Sequence, residues 1–134
     1  GLATIEVFEN ESVVKHNHAM GDRFIAGVNT IIKRKKLEDY LGLMGFNWSV
    51  SLVVKNKEKK ADMFFRTLFM QEMIKRGVLY QGIFCPCFSH TTSDVDYILA
   101  AFDESCDVFI AALNDGYEKY LVGPEIKPVF RKLN

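Results

Sequence analysis

The sequence is poor in cysteine, with three in 134 residues. The number is odd and the density too low for a disulfide scaffold, so a reducing, cytoplasmic setting with free thiols is expected. Net charge is also missing: 17 Lys plus Arg face 17 Asp plus Glu. That balance argues against a basic nucleic-acid footprint and against an acidic disordered tail. No stretch approaches the ~18 uncharged apolar residues that cross a bilayer, so no membrane partner is expected. The first residues carry Glu6, Glu9 and Glu11 and no basic segment, unlike a signal peptide. There is no G-x-G-x-x-G, no P-loop, no G-x-S-x-G, no internal repeat and no low-complexity run.

Aromatics are plentiful, with eleven Phe and five Tyr. Some of that surface is expected to lie against something outside this chain. The length suits a single domain, residues 1–134, large enough to build a real core.

The first element, containing Leu2, Ile5, Val7 and Phe8, begins abruptly and has no capping residue before it. It reads as the cut edge of a longer polypeptide. Apolar residues then recur at three- and four-residue steps in three places, predicting helices over Ser12–Lys36, Asp62–Arg76 and Thr92–Asp115. The run Lys33 to Lys36 suits the C-terminal end of the first of these helices, as a solvated end. Strands are expected at Leu41–Gly45, Trp48–Val54, Val78–Tyr80 and Phe84–Ser89, the second because Trp48, Val50, Leu52 and Val54 alternate with smaller or polar residues. Lys55 to Lys60 reads as a charged loop. Gly77 stands where a helix C′ glycine belongs, and Thr91–Asp94 or Ser93–Asp96 reads as a capping box. Residues 117–134 are expected to form an extended C-terminal tail with a short helical turn. The fold class is α+β: a small antiparallel sheet of three to four strands with helices packed on one face.

Few residues suggest chemistry. Cys85, Cys87 and His90 are spaced so that two thiolates could converge in a strand, but a structural zinc needs four ligands, and His16 and His18 are distant in sequence. The expectation is no metal. A reactive thiol would have only His90 as a base, and the plain reading of His90 is a helix-entry residue bonded to backbone. Asp103, Glu104 and Asp107 ride the polar side of the last helix. No catalytic residue follows from these patterns.

Four segments carry a resemblance in their order and spacing. They are Leu2-Ala3-Thr4-Ile5-Glu6-Val7; Gly21-Asp22-Arg23-Phe24 with Gly27-Val28-Asn29; Gln71-Glu72-Met73-Ile74-Lys75-Arg76-Gly77-Val78-Leu79; and Ser89-His90-Thr91 with Asp94-Val95-Asp96. Together they resemble the C-terminal small domain of class III aminotransferases, on the branch of glutamate-1-semialdehyde 2,1-aminomutase-like proteins. The match spans nearly the whole chain. It implies a fold-type I pyridoxal-phosphate enzyme, typically a homodimer, acting on a small amino or oxo substrate.

In such enzymes an N-terminal large domain carries the Schiff-base lysine and most cofactor contacts, and the small domain covers the substrate side of the pocket. The parent would be an enzyme, transferase or isomerase. This piece, without that lysine, would bind no cofactor and be inactive alone. Tyr80, Gln81 and Phe84 are the expected substrate-pocket residues. The segment Gly77 to His90 departs from the aminomutase pattern: it is shorter and holds no glutamate, which leaves aminomutase and aminotransferase chemistry both open. The competing readings are a stand-alone α+β ligand-binding module and a protein-interaction module.

Overall fold

Val50, Leu52 and Val54 alternate along one strand and are each 5% exposed or less, while Ser49, Ser51 and Val53 between them are half-buried. One sheet face therefore seals a core and the other is open. The structure is a computed structural model that describes residues 1–127. Its helices are α1 (Leu2–Asn10), α2 (Val13–Arg34), α3 (Met63–Lys75) and α4 (Thr92–Asp115), and its strands are β1 (Leu41–Phe46), β2 (Ser49–Val54) and β3 (Ile83–Phe84). The sheet is antiparallel in the order β1-β2-β3. The architecture is the expected α+β arrangement. A short 3₁₀ turn, Tyr117–Lys119, begins the tail. The part of the expected tail after residue 127 lies outside the described residues.

α2 touches β1 and β2, α3 touches β2, and α4 packs on both helices. Phe24 of α2 stacks on Phe84 of β3 at 4.3 Å, and Phe69 of α3 meets Phe102 of α4 at 4.9 Å. Phe24, Phe69, Phe102 and Phe109 are all but fully buried. Each contributes about 1.5–3 kcal/mol of burial, so this aromatic seam dominates the packing.

Caps fix the helix ends. Asp62 accepts the amide hydrogen of Phe65 at the start of α3. Thr91 and Asp94 form a reciprocal capping box at the start of α4, the first of the two expected pairs. At the end of α3, the N–H of Gly77 (φ +80°) donates to the Ile74 carbonyl and that of Val78 to the Met73 carbonyl. This Schellman closure corrects the expected strand at Val78–Tyr80. The Val78 amide serves the helix end, and none of the three residues is a strand.

The strand expected over Phe84–Ser89 is also shorter, only Ile83–Phe84. Pro86 has no N–H to give, and the Cys87 N–H donates to the His90 ring instead of a neighbouring strand. Trp48 is not in a strand. It lies in the hairpin turn, 55% exposed, with its ring stacked on Phe46 at 5.6 Å.

The first element is a helix with no buried residue; Leu2 is 81% exposed, and Ile5 and Phe8 are about half exposed. The basic run at the end of α2 is more than a solvated terminus. Arg34 pairs with Asp103 at 2.6 Å, and Lys35 with Asp103 and Asp107. Such surface pairs contribute about 0–1 kcal/mol each, so their main effect is to fix how α2 and α4 align.

Candidate functional site

Two of the three expected pocket residues belong to the core. Tyr80 is 3% exposed and Phe84 5%, the latter stacked on Phe24. Burial in this domain's own interior removes both from a pocket wall, which corrects that assignment. The Tyr80 hydroxyl is buried with no hydrogen-bond partner among the described residues, and burial holds the phenol well above its ordinary pKa.

Gln81 behaves differently. It is exposed, and with Leu79, Ile83 and Cys85 it lines an open groove of about 480 Å³. Two backbone features make this groove. Gly77 and Gly82 both have positive φ, so the chain leaves α3, turns twice and re-enters the sheet at Ile83. Arg66 of α3 reaches beneath: its guanidinium donates to the carbonyls of Leu52 and Gln81, each at 3.3 Å. Gly82 has φ +85°, so glycine is favoured there by conformation; a Cβ would stand 2.5 Å from the tip of the Arg66 side chain, which would have to shift. Arg66 was missed in the sequence because nothing local marks it. Only the fold carries an arginine from the first turn of α3 to the loop fifteen residues later.

The groove adjoins the open sheet face. By register, Met44 faces outward beside Ser51, and Ile83 lies on the other side of Ser51. Met44, Phe46, Trp48, Leu79 and Ile83 are all exposed, an apolar surface of unusual extent for so small a chain. A second hollow of about 290 Å³ runs from Met44 and Ser51 to Met63 and Arg66. A broader depression of about 670 Å³ lies between α2 and α4, with the Arg23–Asp96 pair at its rim.

The thiols do not converge. The Cys85 sulfur lies 3.8 Å from the Ser49 hydroxyl, whereas Cys87 sits in a turn beside His90, sulfur to Nδ1 3.3 Å. Cys106 is fully buried in α4. His16 bonds the His90 carbonyl through Nε2. Among the described residues no three His, Cys, Asp or Glu side chains are grouped to hold a metal ion. No described helix is long and apolar enough to cross a membrane.

Three of the four segments that carry the resemblance hold joints of the fold; the first, in α1, has no buried residue. Gly21 lies under the hairpin turn, and Asp22 accepts a bond from Asn47 in that turn at 2.9 Å. Arg23 grips Asp96 through two bonds of 2.8 Å, and Phe24 stacks on Phe84. Gln71 holds the tail, donating to the Tyr120 carbonyl and accepting from the Val122 N–H. Buried Glu72 accepts from Gln71, Lys75 and Arg76, and Arg76 continues to Glu104. Of the residues in these segments, Leu79 lines the Gln81 groove.

The described lysines are all at least partly exposed. Lys35, half-buried, is committed to its two aspartates.

No protein-family model matches the sequence, and no curated protein matches it. Among solved structures, the fold is similar to that of the FumI protein of Sphingopyxis sp. MTA144, described as the PLP internal aldimine form. The likeness has a TM-score of 0.67 at 21% identity, covering 85% of this chain and 26% of that one. At that identity it establishes the fold. The chain spans about a quarter of the length of that structure.

Proposed function

We propose that this chain is the C-terminal small domain of a fold-type I, pyridoxal-phosphate-dependent enzyme of the class III aminotransferase kind, similar to the glutamate-1-semialdehyde 2,1-aminomutases. The observation that carries the reading is the fold likeness to part of a PLP enzyme, over most of this chain and a quarter of the other. The bare apolar faces of α1 and the sheet support it, since a domain that normally packs on a larger one leaves such surface behind.

In this reading the N-terminal large domain holds the cofactor and the reactive lysine, and the parent works as a cytoplasmic homodimer. The cofactor supplies the electron sink for chemistry at the amino carbon. The part of this chain is to wall the substrate side of the pocket. Gln81 is its pocket residue, with an exposed amide able both to donate and to accept. Arg66 holds the Gln81 backbone from below through its bond to the Gln81 carbonyl. The substrate is a small amino or oxo compound.

The test is the coding sequence upstream of residue 1, followed by substitution in the full-length protein. A fold-type I large domain should precede this chain. Gln81→Ala there should raise KM or lower kcat without loss of bound cofactor. An unrelated upstream domain, or an unchanged Gln81→Ala enzyme, overturns respectively the class and the pocket assignment.

A further inference from the structure

The segment that follows α3 alternates strictly from Leu79 to Pro86, exposed and buried in turn. That is the period of extended backbone, so Leu79, Gln81, Ile83 and Cys85 share one side and Tyr80 and Phe84 the other. The inward pair anchors the segment in the core. The outward four line the groove of about 480 Å³. Two backbone carbonyls tie the segment down. That of Gly82 accepts from the Leu52 N–H at 2.8 Å, and that of Gln81 accepts from Arg66. The groove is therefore formed before anything enters it, and its size is usual for a small molecule.

What the groove lacks is charge. A quarter of the chain is charged, yet no Asp, Glu, Lys or Arg stands between Arg76 and Asp94. Arg66 commits its guanidinium to two carbonyls and does not line the groove. The adjoining outer face of the sheet is equally neutral. Ser51 pairs with Met44 on one side and Ile83 on the other, so the uncharged surface runs on from the groove across all three strands. A carboxylate laid there would give up water and meet no cation. An alkyl chain would leave water favourably, and the exposed Gln81 amide can bond a hydroxyl or carbonyl carried on it.

Resting on the enzyme reading above, we infer that the parent's substrate is an amine, or the matching aldehyde or ketone, with an uncharged alkyl tail. Leu79, Gln81 and Ile83 hold that tail. The chemistry at the amino carbon belongs to the large domain.

The full-length holoenzyme is mixed with propylamine, butylamine, pentylamine and hexylamine. A further sample receives 6-aminohexanoate, which matches hexylamine in length but ends in a carboxylate. Single-turnover rate constants per molar amine are read from the absorbance of the bound cofactor. They should rise about two- to fourfold with each methylene, since burying one CH₂ is worth up to about fourfold. Hexylamine should outrun 6-aminohexanoate by about tenfold or more. Ile83→Lys, at an exposed position, should collapse or reverse that ratio. A flat or absent response to the series, a preference for 6-aminohexanoate, or an Ile83→Lys enzyme with its ratio intact overturns the inference and leaves the enzyme reading standing. An Ile83→Lys protein that keeps the ratio but loses its hold on the large domain does the same, and makes the groove an interdomain contact. A full-length protein that binds no pyridoxal phosphate overturns both. If Ile83→Lys fails to fold, the wild-type series decides alone.

Discussion

Replacing Gly21 with alanine sets two effects of opposite sign against each other. Gly21 lies inside α2, where alanine is favoured over glycine by about 1 kcal/mol. Propensity alone therefore predicts a more stable protein. But a Cβ there would stand 1.6 Å from the Asn47 carbonyl oxygen, against the 3.4 Å at which ordinary contact begins. The obstacle is backbone, so no rotamer change relieves it. The hairpin turn would have to lift off α2 by about 1.8 Å, the difference between those two distances. Overpacking of this kind costs about 1–3 kcal/mol, and losing the Asn47–Asp22 bond adds about 1 kcal/mol. The net is a loss of about 2 kcal/mol, or roughly 8 °C in Tm for a chain of this size. Gly27→Ala is the matched control, because its Cβ meets the tip of the Leu99 side chain, which can move. It should lie much nearer neutral. Thermal melts of the two variants by circular dichroism decide the matter. A Gly21→Ala protein as stable as wild type, or more so, refutes the close docking of the hairpin on α2.

Glu72→Gln should destabilise by about 1–3 kcal/mol near neutral pH, because a buried acceptor of three bonds loses its charge. Burial pushes the Glu72 carboxyl up, but the bonds from Lys75, Arg76 and Gln71 outweigh it and hold it below 4.5. Its contribution is therefore present above pH 4.5 and lost as pH falls through the folded value. The gap between wild type and variant in urea melts should close over that acid range. Tyr80→Phe removes a buried hydroxyl that has no partner among the described residues, so stability should hold or rise; a loss above about 1 kcal/mol would show that the hydroxyl is bonded. Thr91→Ala breaks the capping box of α4 and should cost about 1 kcal/mol in the same melts.

The helices were legible because their apolar spacing is long and regular. Val95, Phe102, Cys106 and Phe109 all lie on the buried side of α4, as their steps of three and four require. The hairpin was legible from the alternation in β2. The region from Gly77 to His90 was not, and its failures share one cause. Val78–Tyr80 is apolar enough for a strand, but the Val78 amide is spent closing α3. Phe84–Ser89 stops early because Pro86 and the His90 ring take away its ladder bonds. Apolar content predicts burial there, correctly for Tyr80 and Phe84, and does not say where backbone hydrogen bonds go. The candidate site suffered in the same way. A sequence ranks Tyr80, Gln81 and Phe84 alike, and only the path between two positive-φ glycines decides that Gln81 alone turns outward. The Cys87–His90 pair was visible as a spacing, but its geometry depends on a turn rather than the expected strand.

The sheet order leaves two flanks of very different character. Outside β3, pairing could extend over only two residues before Pro86 interrupts it, so that flank is a poor template for another strand. The outer flank of β1 runs six residues, Leu41 to Phe46, and carries no lysine, arginine or proline to deter a newcomer. Its side chains become steadily more exposed toward the turn. Should molecules of this chain stick together edge to edge when concentrated or warmed, growth would begin at β1. A lysine placed at Met44, already exposed, would act as a gatekeeper without touching the core.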